Sequence, residues 1–190
     1  MKQALNPLYQ AALEIQGFFE QKNWRFAFTG GLAHLRWGQH RTTDDVDGTL
    51  LTLFRDEEKI VKSILEQFTP RIADAETFAL TRRVLLLNAS NGVGVDISLG
   101  GLPFEERMVE RSSLFTFGDG VVLRTCSAED LIVFKAFAAR DKDWADVRTI
   151  LERQKGKLDT DYIFENLHPL CELKEAPEIE ERLKTMLGIT

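Results

Sequence analysis

An α+β fold is predicted for this 190-residue chain, with a mixed, largely antiparallel sheet flanked by helices and a helical C-terminal tail. Three observations predict it. Apolar runs of strand type alternate with segments of helical periodicity as far as Thr125. Ser90-Asn91-Gly92 and Asp119-Gly120 are turn signals set between such runs, and the hairpins they make demand antiparallel pairing. From Ser127 onward the spacing is helical throughout. Hairpins mixed with helices argue against a doubly wound parallel sheet.

The elements follow in order. Leu8, Ala11, Ala12, Ile15, Phe18 and Phe19 recur at helical spacing, so residues 7–21 form an amphipathic helix. "WRFAF" is a buried strand ending at Thr29-Gly30-Gly31, after which "LAHLRWG" makes a short helix that Gly38 stops. "VDGTLLTLF" is the next strand. "RDEEKIVKSILEQF" is a helix with Ile60, Val61, Ile64, Leu65 and Phe68 on one face, closed by Pro70. "FALTRRVLLLNA" and "VGVDISLG" make the first hairpin. "PFEERMVERS" is a short helix opened by Pro103, and "LFTFGDGVVLRT" is the second hairpin. Ser127 caps the helix "AEDLIVFKAFAAR", with Asp130 in the place where a capping box has Glu. Arg140-Asp141-Lys142-Asp143 is a charged turn before a helix from Trp144 to Gln154, and "DTDYIFENLHPLCEL" and "PEIEERLKTML" are two more helices. The sheet should have about five strands. Residues 1–156 are expected to form one domain and 157–190 a helical extension packed on it.

Composition narrows the function. A net charge of −6 and 28% charged residues give no basic field over the whole surface, so any contact with nucleic acid must be local. Cys126 and Cys171 have neither zinc spacing nor a disulfide framework, which fits a reducing compartment. The first twenty residues lack the basic start and continuous apolar run of a leader. No segment reaches the roughly 18 apolar residues of a membrane span, so a cytoplasmic protein with no membrane partner is expected.

The chemistry lies in the aspartates. Asp45 and Asp47 stand at i and i+2 in an extended segment, so they point to one side while Val46 turns into the core. Asp96, between the core-facing Val95 and Ile97, adds a third carboxylate if its strand is a neighbour. Three converging carboxylates repel unless a cation or water lies among them, and an oxygen-only ligand set suits Mg²⁺ or Mn²⁺. Gly30-Gly31, between a strand and a helix, lets backbone approach a ligand and aims N–H groups at an anion, a seat for phosphate. His34 and His40 have no partner at metal-ligand spacing and read as structural or solvent-facing.

The order "TGGLAHLRWG", "RTTDDVD", "VDI" resembles the DNA polymerase beta superfamily of nucleotidyltransferases. Within it, Arg41-x-Thr43-x-Asp45-Val46-Asp47 is similar to the minimal and AbiEii-type toxin branches. Lys135 followed by Arg140-x-Lys142-Asp143-x-x-Asp146 resembles a second AbiEii-like segment. The resemblance implies a nucleotidyltransferase-type sheet. It implies that Asp45, Asp47 and Asp96 bind metal and act in catalysis, that Gly30 and Gly31 seat phosphates, and that Lys135 and Asp146 are further active-site residues. Arg41 and Thr43 join the nucleotide-binding set, and Lys135 or Arg41 would offset phosphate charge. Leu32 departs from the pattern, because relatives with a Gly-Ser pair have a hydroxyl for phosphate; Thr29 is the substitute. The implied reaction moves a nucleoside monophosphate from a nucleoside triphosphate to a hydroxyl acceptor, whether tRNA, protein or small molecule. One Mg²⁺ would be held by all three aspartates and another by Asp45 and Asp47, and a toxin-like role would add an antitoxin protein as partner. Two other readings stay open at this point: an inactive nucleotide-binding or partner-binding module of the same fold, and an interaction protein with an acidic docking face.

Overall fold

The computed structural model describes residues 5–54 and 56–189. Its contacts divide the chain into two units, Met1–Leu32 with Thr42–Cys126, and Ala33–Arg41 with Ser127–Thr190.

The first unit is built on a seven-stranded sheet. Helix α1 (Pro7–Gln21) precedes β1 (Phe26–Phe28), and helix α2 (Gly30–Trp37) starts in this unit. Then come β2 (Asp45–Leu51), α3 (Glu57–Gln67), β3 (Thr69–Pro70), α4 (Ala75–Arg82), β4 (Val84–Asn88), β5 (Gly94–Gly100), α5 (Pro103–Arg111), β6 (Ser113–Thr116) and β7 (Val122–Thr125). The spatial order is β3-β4-β5-β2-β1-β7-β6. The β2–β5 and β1–β7 pairs are parallel and the other four antiparallel, so the mixed α+β sheet read from the sequence is the one observed. Alternation decides the faces. Val46, Leu50, Leu85, Leu87, Val95, Ile97 and Leu99 are buried, while Asp47, Leu86, Asn88, Asp96 and Ser98 on the other face are partly open. Helix α1 packs on β2 and β7, and α5 on β1 and β2.

Four local expectations are revised. "FALTR" belongs to α4 and not to the hairpin, because Ala75 and Ala79 are buried one helical turn apart where a strand would need alternation. Pro70 does not itself end α3. The helix stops at Phe68, whose backbone is extended, and Thr69-Pro70 becomes an edge strand, a place where a missing ladder donor is tolerated. That two-residue strand is too short for periodicity to reveal and raises the strand count above the expected one. The helix expected from Arg55 is described from Glu57; Arg55 itself lies outside the described residues.

The second unit contains the end of α2 with α6 (Ala128–Ala138), α7 (Asp141–Arg153), α8 (Thr160–Lys174) and α9 (Pro177–Leu187). Helix α6 is apolar on most sides, burying Leu131, Ile132, Val133 and Ala136 as it packs on α7, α8 and α9. Ser127 is its N-cap, its hydroxyl oxygen accepting from the Asp130 amide at 3.1 Å. The fourth revision is here: Asp141 to Asp143 form the first turn of α7 instead of a free turn, with acidic side chains at the end where the helix dipole favours them. Both cysteines are buried, and among the described residues neither is in a disulfide. Among the described residues no helix is long and apolar enough to cross a membrane.

Candidate active site

In the first unit the site starts where β1 runs out. Thr29 donates its amide to the Asp47 carbonyl at 2.9 Å, tying the end of β1 to β2. Gly30 then turns the chain into α2 with φ +49°, a left-handed value natural for glycine. Both glycines are also required by close packing. A Cβ on Gly30 would lie 1.9 Å from Asp47 Oδ2, and one on Gly31 would lie 2.0 Å from Thr43 Oγ1. The Gly31 amide donates to Asp47 Oδ2 at 3.3 Å, so the first turn of α2 already faces a carboxylate, the kind of anion a helix N-terminus favours. Thr43 Oγ1 in turn lies 3.4 Å from Asp45 Oδ1, closing a chain from glycine to threonine to aspartate.

The aspartates converge because of register. Asp47 on β2 stands directly opposite Asp96 on the parallel neighbour β5, and Asp45 stands opposite Gly94. Carboxylate oxygens of Asp45, Asp47 and Asp96 lie within 4.8 Å of one another, a group that could hold a metal ion. Like charges side by side on paired strands are unfavourable by themselves. A hard divalent cation answers both the charge and the all-oxygen donor set, so these residues fit Mg²⁺ or Mn²⁺. One cation is supplied by the chain itself. Arg71, just past β3, donates from Nη2 to Asp96 Oδ1. Nothing in the local sequence marks this partner, since it depends on a two-residue strand.

The second unit gathers the remaining predicted residues, Arg41, Lys135 and Asp146, around buried carboxylates. Arg41 grips Asp146 with Nε and Nη2, each at 2.8 Å. Lys135 Nζ lies 2.8 Å from Asp146 Oδ2 and 3.2 Å from Asp143 Oδ1, and Arg140 closes on Asp143 from Nε at 2.5 Å. Lys135, Asp143 and Asp146 are all buried. Burial by itself would raise the Asp146 pKa, but hydrogen bonds from Arg41 and Lys135 and the lysine charge outweigh it and lower it to about 2. Asp143 is lowered in the same way, burial being overcome by Arg140 and Lys135. His34, expected to be structural or solvent-facing, is buried. Burial lowers its pKa against the pull of Asp146, with Arg41 and Lys135 adding to the lowering. The Thr149 hydroxyl donates to the Asp146 carbonyl at 2.9 Å, so its oxygen is left to accept from His34 Nε2 at 2.9 Å. This arrangement suits the tautomer with its proton on Nε2, and among the described residues buried Nδ1 has no hydrogen-bond partner. Asp143 and Arg140 were legible in the sequence as a charged segment, but not as partners of Lys135.

Residues 10–185 match the model of a family described as "Nucleotidyl transferase of unknown function (DUF2204)". The chain belongs to that family. Solved structures agree with this DUF2204 member in fold. An antigenic nucleotidyltransferase-like protein from Paracoccidioides brasiliensis aligns with a TM-score of 0.53 at 14% identity, covering 93% of this chain and 92% of that one. ANT(2'')-Ia in complex with adenylyl-2''-tobramycin gives 0.55 at 16% identity, covering 89% and 99%. The lincomycin-bound lincosamide antibiotic adenylyltransferase LnuA gives 0.50 at 14%, covering 74% and 94%. No curated protein matches the chain. The DUF2204 assignment and these folds place the protein among nucleotidyltransferases, the superfamily its motifs resemble.

Proposed function

We propose that this protein moves a nucleoside monophosphate from a nucleoside triphosphate to a hydroxyl acceptor, with Asp45, Asp47 and Asp96 holding Mg²⁺ or Mn²⁺. The observation that carries the reading is the convergence of those three carboxylates beside the glycine-opened first turn of α2. The bound ion would neutralise phosphate charge and make the acceptor hydroxyl easier to deprotonate. The chain's own residues do the positioning. Gly30 and Gly31 let the triphosphate approach backbone amides closely, and Thr29 and Thr43 offer hydroxyls at the same turn. Asp96 is the acceptor-side base, taking the hydroxyl proton as the oxygen attacks the α-phosphorus and pyrophosphate leaves. Lys135 or Arg41 would offset phosphate charge. The acceptor is tRNA, protein or a small molecule, and the setting is the cytoplasm, consistent with two buried cysteines outside any disulfide.

The test is incubation with each labelled triphosphate, Mg²⁺ and a cell extract, reading pyrophosphate release and which fraction gains label. Transfer is expected in the wild type and abolished in Asp47→Asn, whose melting temperature should stay level or rise slightly because a repulsive cluster is thinned. Full activity in that variant would exclude the metal-site mechanism. A second reading, nucleotide binding without turnover, is favoured by one detail: Leu32, buried in the core, supplies no hydroxyl where relatives with a Gly-Ser pair have one. Nucleotide binding without pyrophosphate release would select it. The AbiEii-type toxin-like role rests on the Arg41 to Asp47 and Lys135 to Asp146 motifs, and an antitoxin that co-purifies and blocks transfer would bear it out.

A further inference from the structure

We infer that Arg71 is a resident counter-cation of the triad, which holds the Asp96 carboxylate and competes with a divalent metal for it. The inference rests on the metal-binding reading of Asp45, Asp47 and Asp96. The sheet sets the arrangement through one row of residues. The Arg71 amide donates to the Leu86 carbonyl at 3.0 Å, Leu86 pairs with Asp96 across the β4–β5 ladder, and Asp96 pairs with Asp47 across β5–β2. Arg71 thus starts from the edge of the sheet and sends its side chain across β4 to the third carboxylate. Gly94 leaves the room: a Cβ there would lie 3.1 Å from Arg71 Nη1.

A guanidinium offers only donors, so it can share a carboxylate with a metal ion but cannot join it as a ligand. With Nη2 on Asp96 Oδ1, the third carboxylate of the set already faces a positive group, and an arriving dication meets that charge at short range. The pair is also exchangeable. The Arg71 and Asp96 side chains are 33% and 32% exposed, so water can replace the guanidinium as it leaves, which a fully buried pair would resist. Arg71 is therefore a positioning residue. It relieves carboxylate repulsion without metal and sets the threshold at which metal displaces it.

The experiment is Mn²⁺ titration, followed by the electron paramagnetic resonance signal of the free ion, on wild type, Arg71→Met, Asp96→Asn and the double variant. Removing a charge-assisted hydrogen bond that competes with the ion should tighten Mn²⁺ binding by about tenfold in Arg71→Met. That gain should vanish in the Asp96→Asn background. Arg71→Gln, which keeps a polar side chain, should behave as Arg71→Met does and serves if the methionine variant folds poorly. Equal or weaker binding in the Arg71 variants overturns the inference alone, as does an undiminished gain without the Asp96 carboxylate, which would signal a diffuse charge effect. No Mn²⁺ binding by wild type or variants at millimolar ion removes the metal site itself, and the inference with it.

Discussion

Lys135 is the residue whose two roles are easiest to separate. Its ammonium bridges Asp143 and Asp146, all three side chains are buried, and Arg41 and Arg140 complete the shell. Lys135→Met preserves the aliphatic stem but leaves two buried carboxylates sharing fewer cations. A loss on the order of 3 kcal/mol in urea unfolding is expected. If turnover per folded molecule also falls about a hundredfold, the ammonium stabilises phosphate charge; retained turnover strikes Lys135 from the catalytic set. Individual residues were legible to different degrees. Asp45 and Asp47 could be placed on one side of a strand because alternation has a period of two, and Asp96 stood out as a charge between two core residues. The steric role of Gly30 and Gly31 was half legible. A need for close approach could be read, but not that Asp47 and Thr43 are what approach. Arg71 was not legible, because nothing in the local pattern of Thr69-Pro70-Arg71 records a partner two strands away.

Helices declared themselves where apolar residues recur at helical spacing and the start is capped; α6, apolar on most sides, illustrates the cap. Ser127 accepts from the Asp130 amide and also donates to the Asp130 carboxylate at 2.7 Å, while the Tyr162 hydroxyl donates to the other Asp130 oxygen at 2.7 Å. Ser127→Ala removes the cap and one donor to a fully buried carboxylate, so a loss of about 1–2 kcal/mol is expected. The measurement is the urea midpoint, and a change under a few tenths of a kcal/mol would mean that Tyr162 and the remaining contacts of Asp130 carry the helix start alone. Elements became ambiguous where apolar content was high but periodicity short. "FALTRRVLLLNA" joins a helix to a strand with no proline or glycine between them, and only Arg83, in a left-handed conformation at φ 57°, marks the change. Hairpin partners could be read from turn residues. The parallel partner of β2 could not, since no turn fixes the register of strands joined by a long crossover.

For the molecule as a whole, acid is the informative variable. His34 has a lowered pKa in the folded protein, so above the ordinary histidine range it adds no proton-linked penalty; as pH falls below that range the unfolded chain takes up a proton that the folded one resists, and stability drops. Asp146 acts in a lower window. Its stabilisation is complete above its ordinary value and is lost as pH falls toward about 2. Urea midpoints should therefore be level near neutrality, decline gently from about pH 6.5 and fall steeply below about pH 4. His34→Gln should remove the first decline and leave the second, and an unchanged upper limb would reassign it to other groups. The pairing of Asp47 with Asp96 also bears on how the molecule comes into being. The two carboxylates belong to strands that meet only after α3, β3, α4 and β4 have been laid down between them, and contacts so distant along the chain are costly in loop entropy and slow to form. A chain still emerging from the ribosome, with β2 made and β5 not yet synthesised, has two of the three carboxylates and no cluster, so the cluster arrives with the closing of the sheet and not before it.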